Sequence, residues 1–121
     1  RFATLVHASA HVHDSVRLGV GTVVFAGAII QPDSRLGDHA IVNTAASIDH
    51  DCILGDAVHI APGVRLAGGV VLGDEVFLGI GTVVIPMVEI GARTIVGAGA
   101  AVVCSLPADS TAVGVPARVK R

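Results

Sequence analysis

Every sixth residue from Val6 to Val102 is Val, Leu or Ile, an unbroken run of seventeen. Two positions before each stands a small or β-branched residue, from Thr4, Ala10 and Val16 through Cys52 to Thr94 and Ala100. A period of six fits neither a helix, which repeats near 3.6, nor a long strand, which repeats at two. It fits a short strand followed by a turn, with the aliphatic and the small residue of each hexad facing inward and the residue between them facing outward. Gly19, Gly37, Gly55, Gly73, Gly91 and Gly97 fall just after the aliphatic position, where a turn is needed. Three such strands close a triangular coil of eighteen residues, so the spacing predicts an all-β fold, a parallel β-helix of hexapeptide repeats. Coils stacked at roughly 4.8 Å make almost six of them a prism on the order of 27 Å tall. The β-helix is expected over residues 1–105. Residues 106–121 leave the repeat at Pro107 and Pro116 and read as a short C-terminal cap over the open strand edge.

Composition agrees with a narrow aliphatic interior. Of 121 residues, 52% are hydrophobic but only 2% aromatic, so the core is filled by regular Val, Ile, Leu and Ala rather than by rings. The formal net charge of −2, without a basic face, argues against nucleic acid as a partner. No apolar segment reaches the roughly 18 residues of a membrane span, and no secretory signal is visible. Cys52 and Cys104 lie far apart without metal-ligand spacing, which suits a reduced, cytoplasmic protein. Cys52 falls on an inward position and reads as core. A start at Arg1 without methionine reads as a trimmed piece of a longer chain.

An eighteen-residue coil turns the sequence into columns. One outward column is Leu5, Val23, Ile41, His59, Phe77 and Ile95, apolar apart from one histidine. A second is His11, Ile29, Ser47, Arg65, Val83 and Ala101, and a third is Arg17, Arg35, Ile53, Val71 and Glu89. An apolar stripe of that length is a liability on a monomer, so other copies of the chain are expected to cover it, most simply in a three-fold ring. Cover by a further domain is the other reading. His59 is either satisfied within that interface or a donor aimed into a cleft between subunits. Asn43, at the adjoining corner one coil below, adds a second polar group there and is a candidate substrate contact.

The stretch S-I-D-H-D-C from Ser47 to Cys52 places His50 between two aspartates at a corner. Its column reads Asp14, Pro32, His50, Gly68, Pro86 and Cys104, and glycine one coil above leaves room over the imidazole. A carboxylate bonded to one ring nitrogen fixes the tautomer and makes the other nitrogen more basic, as a general base requires. His and Asp are also ordinary turn residues, so spacing alone leaves catalysis and a polar turn both open.

The run N-T-A-A-S-I-D-H-D-C-I-L-G-D-A-V-H-I-A-P-G-V from Asn43 to Val64, followed by L-A-G-G-V, F-L-G-I-G-T-V-V-I-P, I-V-G-A-G-A-A-V-V and G-V-P-A-R, resembles the left-handed β-helix acyltransferases. Within them it is most similar to the sialic-acid O-acetyltransferases and nucleotide-amino-sugar N-acetyltransferases. The likeness covers nearly the whole chain. The motif around His50 is specific, whereas the bare hexapeptide repeat also serves serine, maltose and antibiotic acetyltransferases. The resemblance implies a left-handed coil and a homotrimer with acetyl-CoA lying between neighbouring prisms. It implies His50 as the general base for an amino or hydroxyl group of a nucleotide-linked sugar or sialic acid, with Asp51 supporting it. His59 would contact the acetyl group or pantetheine, and backbone at Gly68, Ile80 and Ala98 would line the CoA path. Ile80 and Ala98 are eighteen apart and so stack on one corner, as a ligand lying along the prism requires. Such enzymes usually begin with a small αβ domain that holds the nucleotide-sugar, and nothing in this chain resembles its glycine-rich loop.

Three other readings compete. A trimeric zinc enzyme of the γ-carbonic-anhydrase type needs three histidines at matching corners. His7, His11, His13, His39, His50 and His59 suffice in number but not in placement, so no metal is expected. An ice-binding solenoid needs an outward threonine ladder, and the outward columns hold none. A non-catalytic trimerisation or scaffold fragment of an acetyltransferase is the third. At the C-terminus, Arg118, Lys120 and Arg121 read either as solvated tail charges or as contacts to CoA phosphates.

Overall fold

Each hexad contributes a strand of only two residues, as in Ile41–Val42, Ser47–Ile48 and Ile53–Leu54, which together make one coil. The computed structural model describes residues 3–120. Strands pair in parallel at an offset of eighteen: His59 lies between Ile41 and Phe77, Arg65 between Ser47 and Val83, and Ile53 between Arg35 and Val71. Three sheets of eight, six and five strands result, called here the first, second and third faces of a triangular prism. The columns expected from the sequence are these pairings.

The core is the two inward ladders. Ile30, Ile48, Ile60 and Leu78 are fully buried, and so are Ala28, Ala46, Cys52, Val58 and Val70. Val6 is 45% exposed at the lower end, where a rung is covered from one side only. Polar residues on the small ladder turn their hydroxyls into the next corner: Thr22 donates to the Gly37 carbonyl at 3.0 Å, Ser34 to Asp49 at 2.8 Å and Thr94 to Pro107 at 2.7 Å. Every buried side-chain polar atom among the described residues has such a partner, which avoids the desolvation penalty of an orphaned group. Cys52 follows the same pattern, its Sγ 3.3 Å from the Ala67 carbonyl. Burial pushes its thiol pKa up, as suits an inert core residue.

The corners are turns whose last residue is left-handed, as at Ala45 (φ 58°), Asp51 (φ 58°) and Met87 (φ 66°). A positive φ at that place is the signature of a type II turn. At the corner between the third and first faces, aspartates form a ladder. Asp38 accepts from the Val20 N–H, Asp56 from Asp38 and Asp74 from Asp56, at 2.8–2.9 Å. Gly19, Gly37 and Gly55 make this possible: a Cβ on any of them would come within 2.3 Å of the aspartate above.

Parallel stacking continues past the last regular coil. Leu106 bridges Ile90, and Thr111–Val113 lies in parallel on Ile95–Val96. Arg118–Val119 then returns antiparallel to Thr111–Val113 and covers that edge. Arg93 holds Asp109 of this segment through two hydrogen bonds, 2.6 and 3.1 Å. Arg1, Phe2 and Arg121 lie outside the described residues.

Candidate active site

His50 sits at the corner between the second and third faces, between the strands Ser47–Ile48 and Ile53–Leu54. The preceding Asp49 accepts the His50 backbone N–H at 2.8 Å and fixes the start of the turn. The following Asp51 adopts the left-handed conformation. That is a backbone region aspartate tolerates better than most residues, and here its Oδ2 lies 2.9 Å from Nδ1 of His50. With Nδ1–H donated to Asp51, Nε2 carries the lone pair, and it has no hydrogen-bond partner among the described residues. The hydrogen bond to Asp51 raises the His50 pKa above its ordinary value; desolvation opposes this and the charge of Asp49 adds to it.

Gly68, one rung above, decides where the ring can lie. A Cβ at Gly68 would stand 2.7 Å from Cε1 and 2.8 Å from Nε2 of His50. The room expected over the imidazole is therefore filled by the imidazole itself, which lies across the glycine. The Gly68 N–H donates to no group among the described residues. Beside this corner opens a cavity of about 620 Å³ whose polar edge is Asp49, His50 and Asp51 and whose wall is Ile53, Val71 and Met87. Met87 leans over Gly69, where a Cβ would meet its Sδ at 2.3 Å. Sequence reasoning did not single out Met87, although it stands eighteen residues after Gly69 and so directly above it.

The fold is shared with solved proteins. GDP-perosamine N-acetyltransferase from Caulobacter crescentus, crystallised as a histidine-to-alanine variant with CoA and GDP-perosamine, matches at 53% identity with a TM-score of 0.98. The match covers 99% of this chain and 57% of that one. The acetyltransferase domain of PglB from Neisseria gonorrhoeae, solved with acetyl coenzyme A, matches at 41% identity and a TM-score of 0.97, over 98% of this chain and 58% of that one. WeeI from Acinetobacter baumannii matches at 31% identity and a TM-score of 0.90, over 93% and 56%. The chain belongs to the left-handed β-helix acyltransferases. It spans just under three fifths of the length of these relatives. No family model and no curated protein matches it.

In this acyltransferase β-helix the remaining predicted residues are set apart from His50. Ile80 and Ala98 stack at the corner between the first and second faces, where the Ile80 carbonyl accepts the Gly99 N–H at 2.8 Å. Their own N–H groups have no acceptor among the described residues. Asn43 lies at the same corner, but its Oδ1 is taken by the Thr44 N–H at 2.8 Å and hydroxyl at 3.2 Å. His59 lies on the first face, its ring edge-on to Phe77 at 5.1 Å. The structure thus brings His50, Asp51 and Gly68 together around the cavity, and places His59, Asn43, Ile80 and Ala98 elsewhere on the same prism. No three His, Cys, Asp or Glu among the described residues are arranged to hold a metal.

Proposed function

We propose that the chain carries the acetyl-transfer centre of an acetyl-CoA-dependent N-acetyltransferase for a nucleotide-linked amino sugar. The observation that carries this reading is the pairing of His50 with Asp51 directly beside the open Gly68 N–H. It is supported by the solved relatives, which hold CoA with GDP-perosamine or acetyl coenzyme A.

The acceptor amine attacks the thioester carbonyl while His50 Nε2 takes a proton from its nitrogen. Asp51 holds the tautomer that leaves Nε2 free and steadies the imidazolium that forms. The Gly68 N–H meets the negative charge that develops on the carbonyl oxygen. The tetrahedral species then expels the CoA thiolate, which receives the proton from His50. The amide product and free CoA leave, and no covalent bond to the protein forms. Cys52 is buried and takes no part.

His59, Ile80 and Ala98 do not face the cavity, so a CoA molecule that touches both sets needs a second copy of the chain. The apolar column of the first face, with Leu5 60%, Ile95 48% and Phe77 37% exposed, is the surface such a copy would cover. We therefore read the working form as a homotrimer with sites between prisms. Free Cys52 and Cys104 fit a cytoplasmic setting.

The test is thiol release from acetyl-CoA against a panel of nucleotide-linked amino sugars and their hydroxyl counterparts. Turnover with the amino sugars is expected; acetyl-CoA binding without transfer to any of them would refute the reading in favour of a scaffold. Sedimentation should give the trimer mass, and a monomer at assay concentration would remove the shared groove.

A further inference from the structure

Residues 68 and 69 are both glycine, so the rung above His50 and Asp51 carries no side chain at the corner. Each gap is filled from a neighbouring rung. The imidazole of His50 covers Gly68 from below, with Nε2 2.8 Å from where a Cβ would stand. The Met87 side chain comes down over Gly69 from above, and its Sδ takes the place of a Gly69 Cβ. The two fillers differ in kind. Asp51 holds the ring through a 2.9 Å hydrogen bond. Met87 is tied by its backbone, whose N–H donates to the Gly68 carbonyl at 3.0 Å. Its side chain is unbranched and the residue is 74% exposed. Below the thioether the cavity is walled by Ile53 and Val71, which pair across adjacent strands of the third face. Those two side chains make no hydrogen bonds and a thioether accepts only weakly. Such a wall suits neither sugar hydroxyls nor the amides of a CoA arm; it suits hydrocarbon.

We propose that Met87 is the residue that sets which acyl group is transferred, its thioether closing the space over Gly69 that a chain longer than acetyl would enter. The proposal rests on the acetyl-transfer reading and deepens it on the donor side. The acyl chain is the hydrocarbon brought to this corner by the reaction. With the thioester carbonyl oxygen at the Gly68 N–H, a chain that lengthens past its methyl runs along the apolar wall toward Gly69, the next residue. There the thioether already stands, anchored through the same Gly68 whose N–H meets the oxygen. A longer chain must displace Met87 from the glycine or overpack against it. Because methionine is flexible, the limit is graded: propanoyl is disfavoured and butanoyl more so.

The measurement is kcat/KM for acetyl-, propanoyl- and butanoyl-CoA with one nucleotide-linked amino sugar, and calorimetric binding of acetyl- and butanoyl-CoA without acceptor. Both are made on the unaltered chain, Met87→Ala and Met87→Leu. The unaltered chain should lose about tenfold or more per added methylene. Met87→Ala should raise the ratio of butanoyl to acetyl transfer about tenfold or more, partly because acetyl transfer loses its contact with the thioether. Met87→Leu nearly conserves volume and should keep the preference for acetyl. Met87 is exposed, so thermal unfolding of both variants should stay close to that of the unaltered chain, which separates altered selectivity from misfolding. The proposal is overturned if the unaltered chain uses butanoyl-CoA as readily as acetyl-CoA. It is equally overturned if Met87→Ala leaves the ratio where it was, or raises only the KM for the nucleotide-sugar. Should the unaltered chain transfer no acyl group to any amino sugar, the acetyl-transfer reading fails and the binding arm decides: the proposal stands if Met87→Ala gains affinity for butanoyl-CoA over acetyl-CoA, and falls if the two chains bind them alike.

Discussion

Two corners of the prism use the same turn and end differently. At the aspartate corner, Val20, Asp38 and Asp56 each present a backbone N–H outward, and each is capped by the carboxylate one rung above. At the histidine corner the equivalent N–H of Gly68 is uncapped, because the residue one rung above is Pro86, which has no carboxylate. The first corner uses up its hydrogen-bonding groups in holding coils together. The second keeps an unengaged N–H, a histidine whose Nε2 has no partner among the described residues and a cavity side by side. The difference teaches that in a solenoid a binding site need not be a special backbone. It suffices that the stabilising carboxylate is left out of one column and its backbone N–H left open beside a histidine.

Four substitutions test that contrast. His50→Ala should lower kcat about 10²–10⁴-fold while CoA binding stays as it was; a variant that turns over at near the original rate would remove His50 as the base. Pro86→Asp copies the aspartate corner onto the histidine corner. Its carboxylate should take the Gly68 N–H and lower kcat by about 10² without lowering the melting temperature. Retained activity in that variant would show that Gly68 is not the oxyanion donor. Asp51→Asn removes the main cause of the raised His50 pKa. His50 must be neutral to accept a proton, so activity rises with pH through its pKa. The acid limb of kcat/KM should therefore move to lower pH in the variant, with a lower plateau because the ring is less well held. A limb that stays in place would assign it to another group. Smallest, Asp56→Ala should cost about 1 kcal/mol of unfolding free energy by uncapping the Asp38 N–H and leave kcat unchanged. A drop in activity at unaltered stability would mean the two corners are coupled.

The architecture was legible because its period is rigid. Once Val6, Val24 and Val42 are placed inside at intervals of eighteen, the outward columns and the neighbour of every strand residue follow, and the pairings of His59 with Ile41 and Phe77 are those read from spacing. The geometry of the candidate site was legible in part. His50, Asp51 and Gly68 meet as the column and the flanking acid suggest. The position of the imidazole was not, since a column gives a rung but not a rotamer, and the glycine turned out to house the ring. The aspartate ladder was overlooked although Gly-Asp recurs at 37–38, 55–56 and 73–74; each pair read alone is an ordinary turn. His59, Ile80 and Ala98 could not be joined to His50 from one chain, because they lie across the prism from its cavity.

The eighteen-residue interval also makes the length of this protein quantised. Removing one residue between His50 and Gly68 would slide Gly69 over the imidazole and turn every later side chain off its column. Removing eighteen would restore every column above the cut but set the ring of Pro86 where Gly68 now makes space. Insertions and deletions that preserve both the columns and this corner are therefore whole turns lying entirely above or below the pair His50 and Gly68.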